Sequence, residues 1–184
     1  MENAKYLMDT SVLNRRKPKD MYDESAFPIH WKNFDTLVEQ GIVISILEVK
    51  EELERTVEIF EDWVNDHEDI FRPLDSQSTV VMSEINSRYP LLVEQNEKDN
   101  SIADIPLVSF AKVHNLILVT QESYNFNPGM GERKIRIPTL CYLEGGKCTM
   151  ESCDKEFDES IDYDFECIDF VELVKRERLY DFDL

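Results

Sequence analysis

Glycine is scarce: five in 184 residues. Neither a G-x-G-x-x-G dinucleotide loop nor a Walker loop is present, and Gly129-Met-Gly131 is a lone G-x-G that reads as a turn. Long apolar runs are also missing. The longest, such as LILV at 116–119, fall far short of a bilayer span, and the N-terminus has no apolar h-region. The expectation is a cytoplasmic protein with no membrane partner. Cysteine number is small and its spacing uninformative: Cys141, Cys148, Cys153 and Cys167 include no C-x-x-C pair, and no histidine stands at zinc-finger distance, so reduced thiols are expected. The three histidines, His30, His67 and His114, are scattered. No serine sits in a nucleophile elbow. A phosphoaspartate phosphatase needs a second Asp two residues after Asp9, where this chain has Ser11. Positive charge is the last deficit: 20 basic against 39 acidic residues, a net charge of −19. Such a balance argues against a generic nucleic-acid binder. It leaves room for a local basic patch or bound divalent cations, because screening confines each charge to about 8–10 Å.

What remains is a chain that alternates short apolar strands with amphipathic helices. Strands are predicted at 5–8, 42–45, 70–74, 116–120, 134–138 and 167–170. Helices are predicted at 30–39, at 78–89 with Pro90 as breaker, at 103–115 and at 171–179. One long amphipathic helix has Val49, Leu53, Val57, Phe60 and Trp63–Val64 on one face, and Thr139–Leu143 starts another helix. Gly41 and Asn115 stand where helices stop. NEKDNS at 96–101 reads as a polar loop, and 145–166, rich in Asp and Glu, as a solvated insertion. The alternation predicts a single α/β domain over 1–184, with a central parallel sheet and helices on both faces.

In such sheets function gathers at the carboxyl ends of strands. Asp9 ends strand one, Glu122 lies just past LVT, Asp104 opens the helix before that strand, and Glu48, Glu51 and Glu52 follow IVIS. Carboxylates meeting at one edge suit Mg2+ or Mn2+, hard cations that keep water. Each also has a plain alternative: Asp104 as an N-cap, Asp9-Thr-Ser as a turn, the glutamates as solvated helix surface.

The series YLMDTSVLN, VISILEVKEEL, ADIPLVSFAKVHNLILVTQE and RKIRIPTLC, with CIDFVELV near the end, resembles the PIN domain family, in particular its VapC-like branch of uncharacterised PIN-like proteins. The resemblance implies a four-carboxylate metal site of Asp9, Glu52, Asp104 and Glu122. Glu52 is chosen because it directly precedes Leu53, with Glu48 and Glu51 as rivals. Thr10 and Thr120 would be supporting hydroxyls. The implied reaction is Mg2+- or Mn2+-dependent hydrolysis of single-stranded RNA, leaving a 5′-phosphate and a 3′-hydroxyl. The implied setting is the toxin of a toxin–antitoxin pair, with a cognate antitoxin and a homodimer as partners. The chain departs from the pattern at Ser11, where Asn is usual, at Asp104-Ile-Pro, which shifts the proline by one, and at the 145–166 insertion. RNA would need a basic track. Arg15, Arg16, Lys17 and Lys19 after strand one, with Arg133, Lys134 and Arg136 past Glu122, are the candidates; they equally suit the balancing of neighbouring acids. Two other readings stay open: a catalytically silent PIN-like module that binds protein or RNA, and an unrelated doubly wound domain in which Asp9 and Asp104 only cap helices.

Overall fold

The computed structural model describes residues 3–56, 60–99, 101–126, 131–158 and 160–181. Val57 and Gly129, singled out above, and Glu159 of the 145–166 stretch lie outside the described residues. Six short strands form one parallel sheet in the order β3-β2-β1-β4-β6-β5: β1 Tyr6–Met8, β2 Val43–Ile46, β3 Phe71–Arg72, β4 Ile117–Val119, β5 Lys147–Cys148 and β6 Glu166–Ile168. Tyr6, Leu7 and Met8 pair with Ile117, Leu118 and Val119 on one side, and Tyr6 and Leu7 pair with Val43 and Ile44 on the other. All three side chains of β1 are fully buried. A strand covered on both faces has no solvent side to mark by alternation, so it reads as a continuous apolar run.

Helices flank the sheet: α1 Thr10–Asn14, α2 Pro28–Glu39, α3 Leu47–Thr56, α4 Glu61–Asp66, α5 Ser76–Arg88, α6 Pro90–Asp99, α7 Asp104–His114, α8 Ile137–Leu143 and α9 Phe170–Arg176. Trp31 and Phe34 of α2 pack with Phe170 of α9, the Trp31 and Phe170 rings stacked at 4.7 Å. The helix stops behave as their residues require: Gly41 after α2 and Asn115 after α7 take the left-handed conformation, with φ of +69° and +51°. Among the described residues no helix is long and apolar enough to cross a membrane.

Several local expectations are corrected. The long helix through 49–64 is two helices; Val49, Leu53, Phe60 and Val64 are all buried, but the backbone is reset at Phe60 (φ −105°, ψ 0°). Pro90 ends α5 and also opens α6, because a proline's fixed φ and missing N–H suit a first turn. Helix therefore runs through most of the expected 96–101 loop. The 134–138 strand does not form. A single 3-10 turn, Glu132–Lys134, leads into α8; Ile135 and Ile137 are buried as alternation suggests, but the Ile137 N–H bonds a carboxylate instead of a neighbouring strand. Asp104 is not an N-cap. Ala103 takes that position, and the Asp104 side chain makes no capping bond. Finally, the 145–166 stretch is anchored at both ends. Lys147–Cys148 add an edge strand beside β6, and Cys148, Met150 and Phe165 are buried.

Candidate functional site

From β1 the connections run outward to β2 and β3, while β4 starts the other half of the sheet. The boundary between β1 and β4 is therefore a topological switch point, where a crevice opens at the carboxyl ends. Asp9 leaves β1 there. Its N–H donates to the Val119 carbonyl at 3.0 Å, which locks the ends of β1 and β4 together. Its carboxyl is almost wholly buried, and Oδ2 accepts from the hydroxyls of Ser11 and, at 2.8 Å, Thr120. Burial pushes the Asp9 pKa up; the two hydroxyls work against that shift.

Glu52 reaches the same edge from α3. Oε2 accepts from the Thr10 hydroxyl at 2.5 Å and Oε1 from the Ala103 N–H at 3.0 Å, so one carboxylate joins α1, α3 and the entrance to α7. Burial raises its pKa, and the Asp9 charge adds to the shift. Its two rivals are set apart. Glu51 is exposed and pairs with Arg55 on its own helix. Glu48 has a buried Oε2 without a hydrogen-bond partner, but burial raises its pKa and the like charge it feels is Glu51, not the edge carboxylates.

Asp104 opens α7 with its side chain 5% exposed, and Oδ2 is buried without a hydrogen-bond partner. Burial holds its pKa well above the carboxylate range, and Glu122, Asp9 and Glu52 each push it higher. Glu122 accepts the Ile137 N–H at 3.0 Å, and its own N–H donates to Thr120 Oγ1 at 3.2 Å. Its pKa rises to about 7, first through burial and then through Asp9. The four carboxylates thus come from four separate elements and repel one another in one low-dielectric place. Among the described residues no three acidic, imidazole or thiol groups form a ready-made coordination cage.

Two parts of the site had little sequence signal. Ser11 looks like a mere departure from a motif, yet its hydroxyl donates to Asp9, accepts the Gln121 N–H at 2.8 Å and faces Thr120 Oγ1 at 3.1 Å. The other is Arg136, the cation that offsets the shifts of both Asp104 and Glu122, which stands 3.9 Å from Asp99. Arg136 is a candidate for the basic track past Glu122, but the sequence does not show that it faces these two carboxylates.

The remaining basic candidates divide. Arg16 is committed: its guanidinium forks onto Glu24 (2.6 and 2.7 Å) and Asp35 (2.8 Å twice), lies against Trp31, and is only 11% exposed. Arg133 pairs with Glu94 at 2.7 Å. Arg15 holds Asp20 only loosely at 3.4 Å, and Lys17 lies over the Phe60 ring.

No curated protein and no solved structure matches the chain. Residues 6–152, a span that contains all four carboxylates, match the family model described as Domain of unknown function (DUF4411), and the chain belongs to that family.

Proposed function

We propose that the chain is a Mg2+- or Mn2+-dependent endoribonuclease of PIN type that hydrolyses phosphodiester bonds of single-stranded RNA. One observation carries the reading: Asp9, Glu52, Asp104 and Glu122 converge at the switch point of a parallel sheet, Asp9 and Asp104 buried and the two glutamates partly so, and Asp104 Oδ2 has no hydrogen-bond partner. An unsatisfied buried carboxylate oxygen is costly, and a bound cation would satisfy it. An all-oxygen donor set with repelling charges fits a hard divalent cation. When bound, the ion would supply an activated water and charge neutralisation at the phosphate.

The chain's own groups do the rest. Asp9, Glu52, Asp104 and Glu122 would hold the ions. Thr10, Thr120 and Ser11 fix the carboxylate rotamers through their hydroxyls. Arg15, Lys17 and Arg136 would take RNA phosphates, while Arg16 keeps the loop after α1 in place. The resemblance extends the proposal to a toxin–antitoxin pair: an acidic cluster of this kind suits a basic side chain from an inhibitory partner.

The test is a calorimetric Mn2+ titration of the wild type beside Asp104→Asn. A saturable site that the variant loses supports the reading, and metal-dependent cleavage of single-stranded RNA by the wild type alone completes it. Superimposable curves overturn it in favour of a silent binding module.

A further inference from the structure

The four cysteines, scattered over 27 residues in the sequence, share one place in the fold. Cys141 comes from α8, Cys148 from edge strand β5, Cys167 from β6, and Cys153 from the turn after β5. Cys148 and Cys167 are register partners on neighbouring parallel strands. The Cys148 thiol lies against those of Cys167 and Cys153, and Cys167 also contacts Cys141. These contacts link Cys153 to Cys148, Cys148 to Cys167 and Cys167 to Cys141. Among the described residues no three of them form a metal cage. Access differs among them: Cys141, Cys148 and Cys167 are buried, and Cys153 is partly exposed. A turn closed by the Cys153 N–H on the Met150 carbonyl at 2.9 Å folds Cys153 back toward the strand it has just left.

We propose that Cys148 and Cys153 are a redox-active pair that forms an intramolecular disulfide by exchange with a low-molecular-weight disulfide. The Cys153 thiol, the one within reach of solvent, loses its proton and attacks one sulfur of the small disulfide. That S–S bond breaks, and one small thiolate leaves and is protonated. Cys148, already in contact, loses its proton and attacks Cys153 Sγ in the mixed disulfide, expelling the second small thiol. The protein gives up two hydrogens and the reagent becomes two thiols. Burial holds the Cys153 thiol at about 11, and the contact with Cys167 and then burial push the Cys148 thiol up further, so the exchange is slow at neutral pH and speeds up as pH rises. The new bond would clamp the turn carrying Ser152, whose hydroxyl accepts the Tyr124 N–H at 2.9 Å, two residues past Glu122.

Trypsin makes the test direct, because cleavage after Lys147 and Lys155 leaves both cysteines on one peptide, 148–155, and Cys141 and Cys167 on others. The folded protein is treated with excess oxidised glutathione, its remaining thiols are alkylated in denaturant, and the digest is weighed. The expected result is peptide 148–155 unalkylated and lighter by two hydrogens, reversed by a phosphine reductant and abolished in Cys153→Ser. Cys141→Ser leaves it intact. Four alkylated cysteines, a glutathione adduct persisting on Cys153, or a cross-link from Cys148 to the Cys167 peptide would each overturn the proposal. The wild-type digest decides alone if a variant fails to fold.

Discussion

Thr120 shows how a single hydroxyl serves the candidate site. It is fully buried at the end of β4, donates to Asp9 Oδ2 and accepts the Glu122 N–H. Thr120→Val keeps the shape and removes the donor, leaving Asp9 with Ser11. The expected cost is about 1–3 kcal/mol in urea unfolding at neutral pH, the range for a lost hydrogen bond to a buried charged acceptor. Arg16 and Lys17 make the complementary case, two adjacent cations with different work. Arg16→Ala leaves Asp35 with only the Trp63 indole N–H and Glu24 with solvent, and removes packing on Trp31; stability should fall by about 2–3 kcal/mol, less than for a fully buried pair because Glu24 is half exposed. Lys17→Ala should leave the urea midpoint unchanged. If Lys17 contacts a phosphate, the substitution lowers the salt slope of RNA binding by about one. A Lys17→Ala slope equal to wild type would remove that residue from the phosphate track. Sequence cannot rank Arg16 against Lys17, and it prefers Glu52 to Glu51 only through the motif match. Arg16 and Lys17 differ only through Glu24 and Asp35, and Glu52 differs from Glu51 through Thr10 and Ala103, partners 42 and 51 residues away.

Elements were legible where local chemistry and tertiary environment agree, and misread where they part. Asp75, left outside the helix expected at 78–89, shows the two acting together at the true start of α5. It caps α5 by accepting the Gln77 N–H (2.8 Å) and the Ser78 N–H (2.9 Å), and His114 Nε2 approaches its other oxygen at 2.5 Å, which ties the start of α5 to the end of α7. Asp75→Ala should cost about 0.5–2 kcal/mol, and Asp75→Asn should restore most of it, because an amide oxygen still caps. Equal losses in the two variants would place the weight on the His114 contact instead. The stretch at 134–138 illustrates the opposite. Its I-R-I alternation does bury alternate residues, but the freed Ile137 N–H is claimed by Glu122, so the site itself takes the backbone out of strand pairing. Asp104 fails as a cap for a related reason. Its carboxyl turns into a crowded acidic pocket, away from the N–H groups that a capping side chain would satisfy. Edge strand β5 was hidden because two residues between turns carry no period at all.

Across the whole molecule the acidic excess acts in two opposed ways, and pH separates them. Paired surface acids such as Glu24, Glu68, Glu94 and Glu177 have lowered pKa values, set by hydrogen bonds from Arg16, Lys50, Lys98 and Lys5. They stabilise the fold above the unfolded carboxylate range and lose that effect only below about pH 4.5. The buried cluster has the reverse sign. Glu122 titrates at about 7 and Asp104 well above its usual range, so between about pH 4.5 and 7 the folded chain binds more protons than the unfolded one. Stability therefore falls as pH rises through that window. His30 opposes this in part, since burial lowers its pKa and its contribution grows as pH climbs toward 6.5. Comparison with Glu122→Gln isolates the cluster, because His30 is common to both proteins. Thermal unfolding at about pH 5 and about pH 8 should show the wild-type Tm dropping more than the variant's. Excess Mn2+ should then raise the wild-type Tm far more at the higher pH, because a cation binds the deprotonated carboxylates and its affinity follows their ionisation. Asp104→Asn should show little of that rescue. A Tm shift with Mn2+ that is the same at both pH values, or the same in the variant, would mean that the ion is held by the diffuse surface charge and not by these four carboxylates.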